Sequence, residues 1–170
     1  MASALAVVMS GIVFFEGLSC MPTTDSWWER ARNILIYDEG VRRKPYKDTV
    51  GKLTIGVGRN LDDVPLTNAT IYQMLDEDIT KAIEAACKIF TQPVFDSWSE
   101  ARQHAIVNMI FNLGETRFRL FFNMIGAIKL NNWSEAAEHA LASKWAKQVG
   151  SRSQRIVALL RDEKYIYDVL

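Results

Sequence analysis

The hydrophobic period of this chain changes at Gly40, and that change limits the folds open to it. Before it, Asn33-Ile34-Leu35-Ile36-Tyr37 reads as helix, and Gly40 is a natural residue to end one. After it the period drops to two: Leu53, Ile55 and Val57 point to one side of a strand, Thr54, Gly56 and Gly58 to the other. Val50-Gly51 is the expected hairpin turn, where Gly supplies the backbone freedom. Beyond Thr67 the helical period returns, with Ile71, Leu75, Ile79, Ala82 and Ala86 in one stripe down to about Phe90. A single hairpin set among helices makes the expected class α+β, mostly α.

The remaining boundaries are read from caps and breakers. Ser26-Trp27-Trp28-Glu29 has the form of a capping box, as do Ser97-Trp98-Ser99-Glu100 and Ser151 with Gln154. Asp62-Asp63-Val64-Pro65-Leu66 is a loop, Thr67 caps the long helix, and Gln92-Pro93 ends it. A helix runs through Ala105 and Phe111 to Gly114, and shorter ones are expected over 118–130, 134–142 and 151–161. The expected division is an apolar segment 1–24, a small lobe 25–66, a connecting helix 67–90 and a helical lobe 91–170.

Two carboxylates flank the change of period. Glu39 falls in the last helical turn, where carbonyl groups carrying partial negative charge disfavour an anion. A carboxyl that keeps its proton is what a general acid needs. Asp48, before the turn and flanked by lysines, is expected to be solvated and ionised. Contrasting surroundings of this kind suit acid and base roles at a glycosidic bond. The strand face with Thr54 and two glycines can admit a bulky ligand close to the backbone.

An Asp-Glu-Gly, an aspartate nine residues after the Glu, a threonine six further on and then Ile-Gly-x-Gly resemble the catalytic region of the phage-type lysozymes (glycoside hydrolase family 24). A second block, Asn108-Met109-Ile110-Phe111-Asn112-Leu113-Gly114-Glu115-Thr116, is similar to the family segment lining the far side of the cleft. A third run, from Ser143 to Arg155, resembles the other diagnostic segment. The resemblance implies a two-lobed lysozyme-like fold, with Glu39, Asp48 and Thr54 as the catalytic residues. It also implies binding or supporting roles for Phe111, Asn112, Gly114, Glu115, Trp145, Gln148, Arg152, Arg155 and Asp38, with Arg152 pairing with Glu39 and Arg155 with Asp38. An arginine beside Glu39 would favour its anion, against the helix end. The chain departs from the pattern in three places. Few residues lie between Gly58 and the long helix, Arg59 stands where the bacteriophage T4 member has histidine, and Val149 replaces a threonine.

The implied activity is hydrolysis of the β-1,4 bond between N-acetylmuramic acid and N-acetylglucosamine in peptidoglycan, with inversion, by an endolysin that lyses its host. Two alternatives stay open: a wall-binding or structural module without turnover, and a lytic transglycosylase. The expected partner is the glycan strand, met by a monomer. With 20 basic and 20 acidic residues the net charge is zero, so composition points to neither nucleic acid nor membrane. Basic residues nevertheless gather around the hairpin (Arg42, Arg43, Lys44, Lys47, Lys52, Arg59), a patch suited to an anionic polymer. No zinc, haem or nucleotide signature is present, so no metal or cofactor is expected, and Cys20 and Cys87 read as unpaired thiols. Segment 1–24 has a single charged residue, Glu16, and no basic start. Its marginal hydrophobicity suits a signal-arrest-release segment in transient contact with the inner membrane, against a packed helix or a disordered extension as alternatives. On the export reading the protein waits in the host cytoplasm or inner membrane and acts in the periplasm.

Overall fold

A computed structural model describes residues 24–166 in full and the backbone of 6–9 and 12–15. Glu16 and Cys20 lie outside the described residues. The chain divides into two compact units, Met1–Leu66 and Thr67–Leu170.

In the first unit, strands β1 (Ala6–Met9) and β2 (Ile12–Phe15) pair antiparallel, with Ala6 opposite Phe15 and Met9 opposite Ile12. These eight residues are therefore strand, not the helix that was one alternative for the segment. Their Val, Ile and Phe content favours the extended backbone. Helix α1 (Asp25–Glu39) follows and ends at Gly40, whose φ of 69° lets its N–H reach Ile36 O at 2.9 Å. Thr24, not Ser26, is the N-cap residue, so the expected capping box lies two positions off. No residue of α1 is buried.

A three-stranded antiparallel sheet comes next: β3 (Arg42–Lys47), β4 (Leu53–Gly56) and β5 (Arg59–Asn60), in that order. The turn at Val57-Gly58 and the two-residue β5 were not expected from the sequence, which is too short there to show a period. Central β4 sets Thr54 between Tyr46 on one side and Asn60 on the other. The alternation along the strand is as expected, but its sense of burial is reversed. Thr54 is 3% exposed, whereas Leu53 and Ile55 are half-buried and Val57 is exposed. The cause is position: paired strands flank Thr54 on both sides, and the Asp48 carboxylate lies within reach of its hydroxyl.

The second unit is helical. Helix α2 (Asn68–Phe90) starts at Thr67, whose hydroxyl accepts from Thr70 N, as expected. Its apolar stripe is buried only toward the end, at Ala82, Ala85, Ala86, Ile89 and Phe90, while Ile71, Tyr72, Met74 and Leu75 are exposed. Helices α3 (Gln92–Asp96), α4 (Glu100–Leu113) and α5 (Glu115–Phe118) pack against it. Then come α6 (Phe122–Lys129), α7 (Trp133–Leu141), α8 (Lys144–Val149) and α9 (Ser151–Asp162), with α9 against α4 and α7. Helix α2 stops at Phe90, just before Gln92-Pro93 as expected, and Pro93 opens the short α3. The N-cap residues of α4 and α9 are Ser99 and Gly150, so the boxes expected at Ser97 and Ser151 are misplaced. Ser97 Oγ instead donates back to Val94 O.

Around α4 the core is continuous: Ile106, Met109, Phe118, Met124, Ile156, Leu159 and Leu160 are almost wholly buried. Trp98 joins Phe90, Phe95 and Trp133 edge-to-face, with centroids 4.9–5.6 Å apart. Arg102 covers Trp133 at 4.6 Å, donates to Leu160 O and pairs with Glu163, tying α4 to the end of α9.

Candidate active site

The first unit holds Glu39, Asp48 and Thr54, and Asp48 and Thr54 are linked locally. Asp48 ends the approach to the β3–β4 turn. Its Oδ1 accepts from Val50 N at 3.0 Å and from Lys52 N at 2.8 Å, an arrangement open to an aspartate with the chain folding back over it. Its Oδ2 faces Thr54 Oγ1 at 3.4 Å. That hydroxyl has one hydrogen for two acceptors, the second being Lys52 O at 3.2 Å. Asp48 is thus half-buried and tethered, not the freely solvated side chain expected. Nor does Lys52 serve it: its ammonium pairs with Asp63 Oδ1 at 2.8 Å. That pairing holds Asp63 below the usual carboxylate range and raises Lys52.

Behind this turn stands a second set of side-chain clasps. Asp62 Oδ2 accepts from Leu53 N at 2.8 Å, and Asn60 Oδ1 accepts from the amides of Asp62 and Asp63. Asn60 Nδ2 in turn donates to Asp63. Asn60 was absent from the sequence reading, although the Asn-Leu-Asp-Asp run is a signal for an Asx turn. Arg59 donates through Nη2 to Pro65 O at 2.6 Å, closing the loop before α2.

Glu39 is exposed at the end of α1, and its carboxylate lies over the backbone of Gly58. A Cβ placed on Gly58 would stand 3.1 Å from Glu39 Oε2. Asp38 is exposed one residue earlier on the same helix.

The second unit assembles the remaining residues at the C-terminal end of α4. Asn108 Oδ1 accepts from Arg152 Nε at 3.0 Å and Nη2 at 2.7 Å. One turn on, Asn112 Oδ1 accepts from Trp145 Nε1 at 2.9 Å. These bonds fasten α9 and α8 to α4. Phe111 is exposed, and Gly114 (φ 75°) turns the chain from α4 into α5. Glu115 is engaged by Arg119 at 2.8 Å. Gln148 is exposed on α8, and Arg155 is half-buried on α9 with Nη1 donating to Ser151 Oγ at 3.3 Å. Asn108 thus joins the set as the holder of Arg152; its place in the quoted block was the signal. Also within this unit is a cavity of about 630 Å³, lined by Phe121, Met124 and Trp145 and by the basic side chains Arg117, His139 and Lys144. Among the described residues no group of His, Cys, Asp and Glu could hold a metal ion, and no helix is long and apolar enough to cross a membrane. Cys87 is free, and burial pushes its thiol upward.

Residues 37–163 match the family model described as phage lysozyme, a span holding Glu39, Asp48, Thr54 and both later blocks. The chain is similar to a protein named probable T4-type lysozyme 1 from Dictyostelium discoideum, 27% identical over 76% of this chain and 92% of the relative. It is similar as well to the pre-baseplate central spike protein Gp5 of Enterobacteria phage T4, 27% identical over 84% of this chain but only 29% of that protein. With the SAR-endolysin of Escherichia phage Mu it shares 24% identity over 83% of this chain and 80% of the relative. With the family model covering most of its length, this chain belongs to the phage lysozyme family.

Proposed function

We propose that this protein is a muramidase that hydrolyses the β-1,4 bond between N-acetylmuramic acid and N-acetylglucosamine, Glu39 giving its proton to the leaving oxygen while Asp48 directs water to the anomeric carbon. The observation that carries the reading is the fixing of Asp48. Two backbone amides occupy Oδ1, which leaves Oδ2, beside the Thr54 hydroxyl, as the oxygen to accept a proton from water. Such a carboxylate is held at one angle before substrate arrives. Water entering on the face opposite the leaving group gives inversion, which needs the two carboxyl groups about 6.5–9.5 Å apart. Proton balance is complete: Glu39 loses one to the departing sugar, Asp48 takes one from water, and the two exchange through solvent. Arg152, oriented by Asn108, and Arg155 are assigned supporting roles.

Support from relatives is of the same kind. Two similar proteins carry lysozyme or endolysin in their names, and a third belongs to a phage baseplate spike. The hairpin's basic residues suit an acidic wall polymer. For location, we assign residues 1–24 to bringing the chain to the inner membrane before release into the periplasm; fractionation of the full chain against a version starting at Asp25 tests this.

Turbidity loss of permeabilised Gram-negative cells, with Glu39→Gln as the control, tests turnover. Mass analysis of the digest tests the bond and the chemistry. Reducing N-acetylmuramic ends are expected; anhydro ends would establish a transglycosylase, and binding without release of either would leave a wall-binding module.

A further inference from the structure

The geometry points to Gly58 as a positioning residue for the proposed general acid: the absence of a side chain at this one place leaves room for the Glu39 carboxylate against the end of the sheet. This inference rests on the assignment of Glu39 above and extends it to a residue that takes no part in chemistry itself.

Three glycines after the helix, Gly40, Gly56 and Gly58, share a positive φ, of 69°, 68° and 67°. All three would be strained by most other residues. Only Gly58 differs in its surroundings. A Cβ there would meet Glu39 Oε2 at 3.1 Å, Cδ at 3.4 Å and Cγ at 3.6 Å, whereas at Gly40 and Gly56 it would meet nothing within 4 Å. The contact runs along the carboxyl end of Glu39.

The physical consequence follows from which partner can yield. Gly58 sits in the tight turn between β4 and β5, and β4 is held on its other edge by β3. Glu39 is an exposed side chain with three torsions at a helix end. A Cβ at 58 therefore displaces the carboxylate rather than the sheet. Displacement matters because general acid catalysis depends on heavy-atom placement within hydrogen-bond reach of the departing oxygen. Gly56, at the end of β4 with φ of 68°, supplies the internal control, a positive-φ glycine without the contact.

The test compares Gly58→Asn with Gly56→Asn in the full chain. Asparagine tolerates positive φ better than other side chains and still brings a Cβ, so the backbone strain is lessened while the contact is imposed. Gly58→Ala and Gly56→Ala form a second pair. Rates are measured against concentration of soluble wall fragments, with folding checked by circular dichroism and Glu39→Gln assayed beside them. For Gly58→Asn, kcat is expected to fall at least tenfold further than for Gly56→Asn, with KM for the fragments unchanged. A cost to substrate access at either position would appear in KM instead. Equal kcat in the two variants, with Glu39→Gln inactive, would overturn the positioning role and leave the acid assignment standing. Full turnover by Glu39→Gln would overturn both.

Discussion

The two units of this molecule are built on different principles. Among the described residues of the first unit, the single buried side chain is polar, Thr54. Its order comes from backbone ladders and from side chains bonded to main-chain amides: Asp48 to Val50 and Lys52, Asp62 to Leu53, Asn60 to Asp62 and Asp63. In the second unit the described buried residues are apolar apart from Ser153, and they form one cluster around α4. One unit fixes carboxylates with hydrogen bonds; the other holds Asn108 and Asn112 on a helix whose Ala105, Ile106, Met109 and Ile110 are buried in the core. Hydrogen-bonded turns set angles of individual groups, while apolar packing sets the spacing of whole helices. A hydrolase needs both, and here they are segregated.

The contrast breaks most sharply at Asp48. Replacing it with alanine removes the acceptor of two amides and the proposed base together. Turnover is expected to fall by about a hundredfold or more, at least ~2.7 kcal/mol of barrier. The thermal transition of the helical unit should not move. Retention of more than about a tenth of the wild-type rate would defeat the role of Asp48.

Ile106→Ala tests the other unit. Ile106 is completely buried on α4. The lost contacts and residual cavity should cost about 2–5 kcal/mol, read as a lower urea midpoint. Wall hydrolysis measured well below the new midpoint should survive, because nothing in the Asp48 turn depends on that side chain. A cost below about 1 kcal/mol would mean that the core around α4 collapses freely.

The same division governs what could be read from the residues alone. Helical periodicity located α2, and Thr67, Gly40 and Gly114 marked real boundaries, because each has a local physical reason to be there. The capping boxes at Ser26, Ser97 and Ser151 were displaced by one or two residues, since several serines or threonines crowd each start and local chemistry does not choose among them. Helix α8 and strand β5 are too short to carry a period. The sense of burial at β4 was misread for a deeper reason. Alternation gives the phase of a strand, but which face is covered depends on what pairs beside it, and Tyr46 and Asn60 are set by the register. At the candidate site, Glu39, Asp48 and Thr54 were legible as a spaced motif and Asn60 as an Asx-turn signal, while the Asp62 clasp on Leu53 appears only once the loop has folded.

A smaller effect sharpens the comparison inside the first unit. Thr54→Val keeps the shape of the buried side chain and deletes the hydroxyl. Asp48 Oδ2 and Lys52 O then lose their shared donor, worth about 0.5–1.5 kcal/mol. Turnover should drop roughly three- to tenfold. Thr49→Val, at an exposed position within the turn, should change the rate little. Equal losses from both would show that the burial of Thr54 has no bearing on Asp48.

The smallest expected effect concerns acid. Asp63 is held below its usual value chiefly by the hydrogen bond from Lys52, with the Lys52 charge and the Asn60 amide adding to it against desolvation. In the other unit Arg161 does the same for Asp162. A carboxylate whose folded value is depressed contributes stability that is present above its unfolded value, near ~4, and lost as pH falls through the lowered folded value. Both pairs are exposed, so each contribution is small and screened by salt. They differ in what they hold. Arg161 and Asp162 are neighbours at the end of α9, beside a packed core, whereas the Lys52–Asp63 pair closes the loop behind the Asp48 turn. Hydrogen exchange of the Leu53 amide should therefore quicken below ~pH 4, relative to neutral pH and after correction for intrinsic rates, while core amides of α4 stay protected. Asp63→Asn should remove most of that pH dependence in β4, and Asp162→Asn should leave it intact. If both variants flattened it equally, the acid response would belong to the chain's overall charge and not to the clasp behind Asp48.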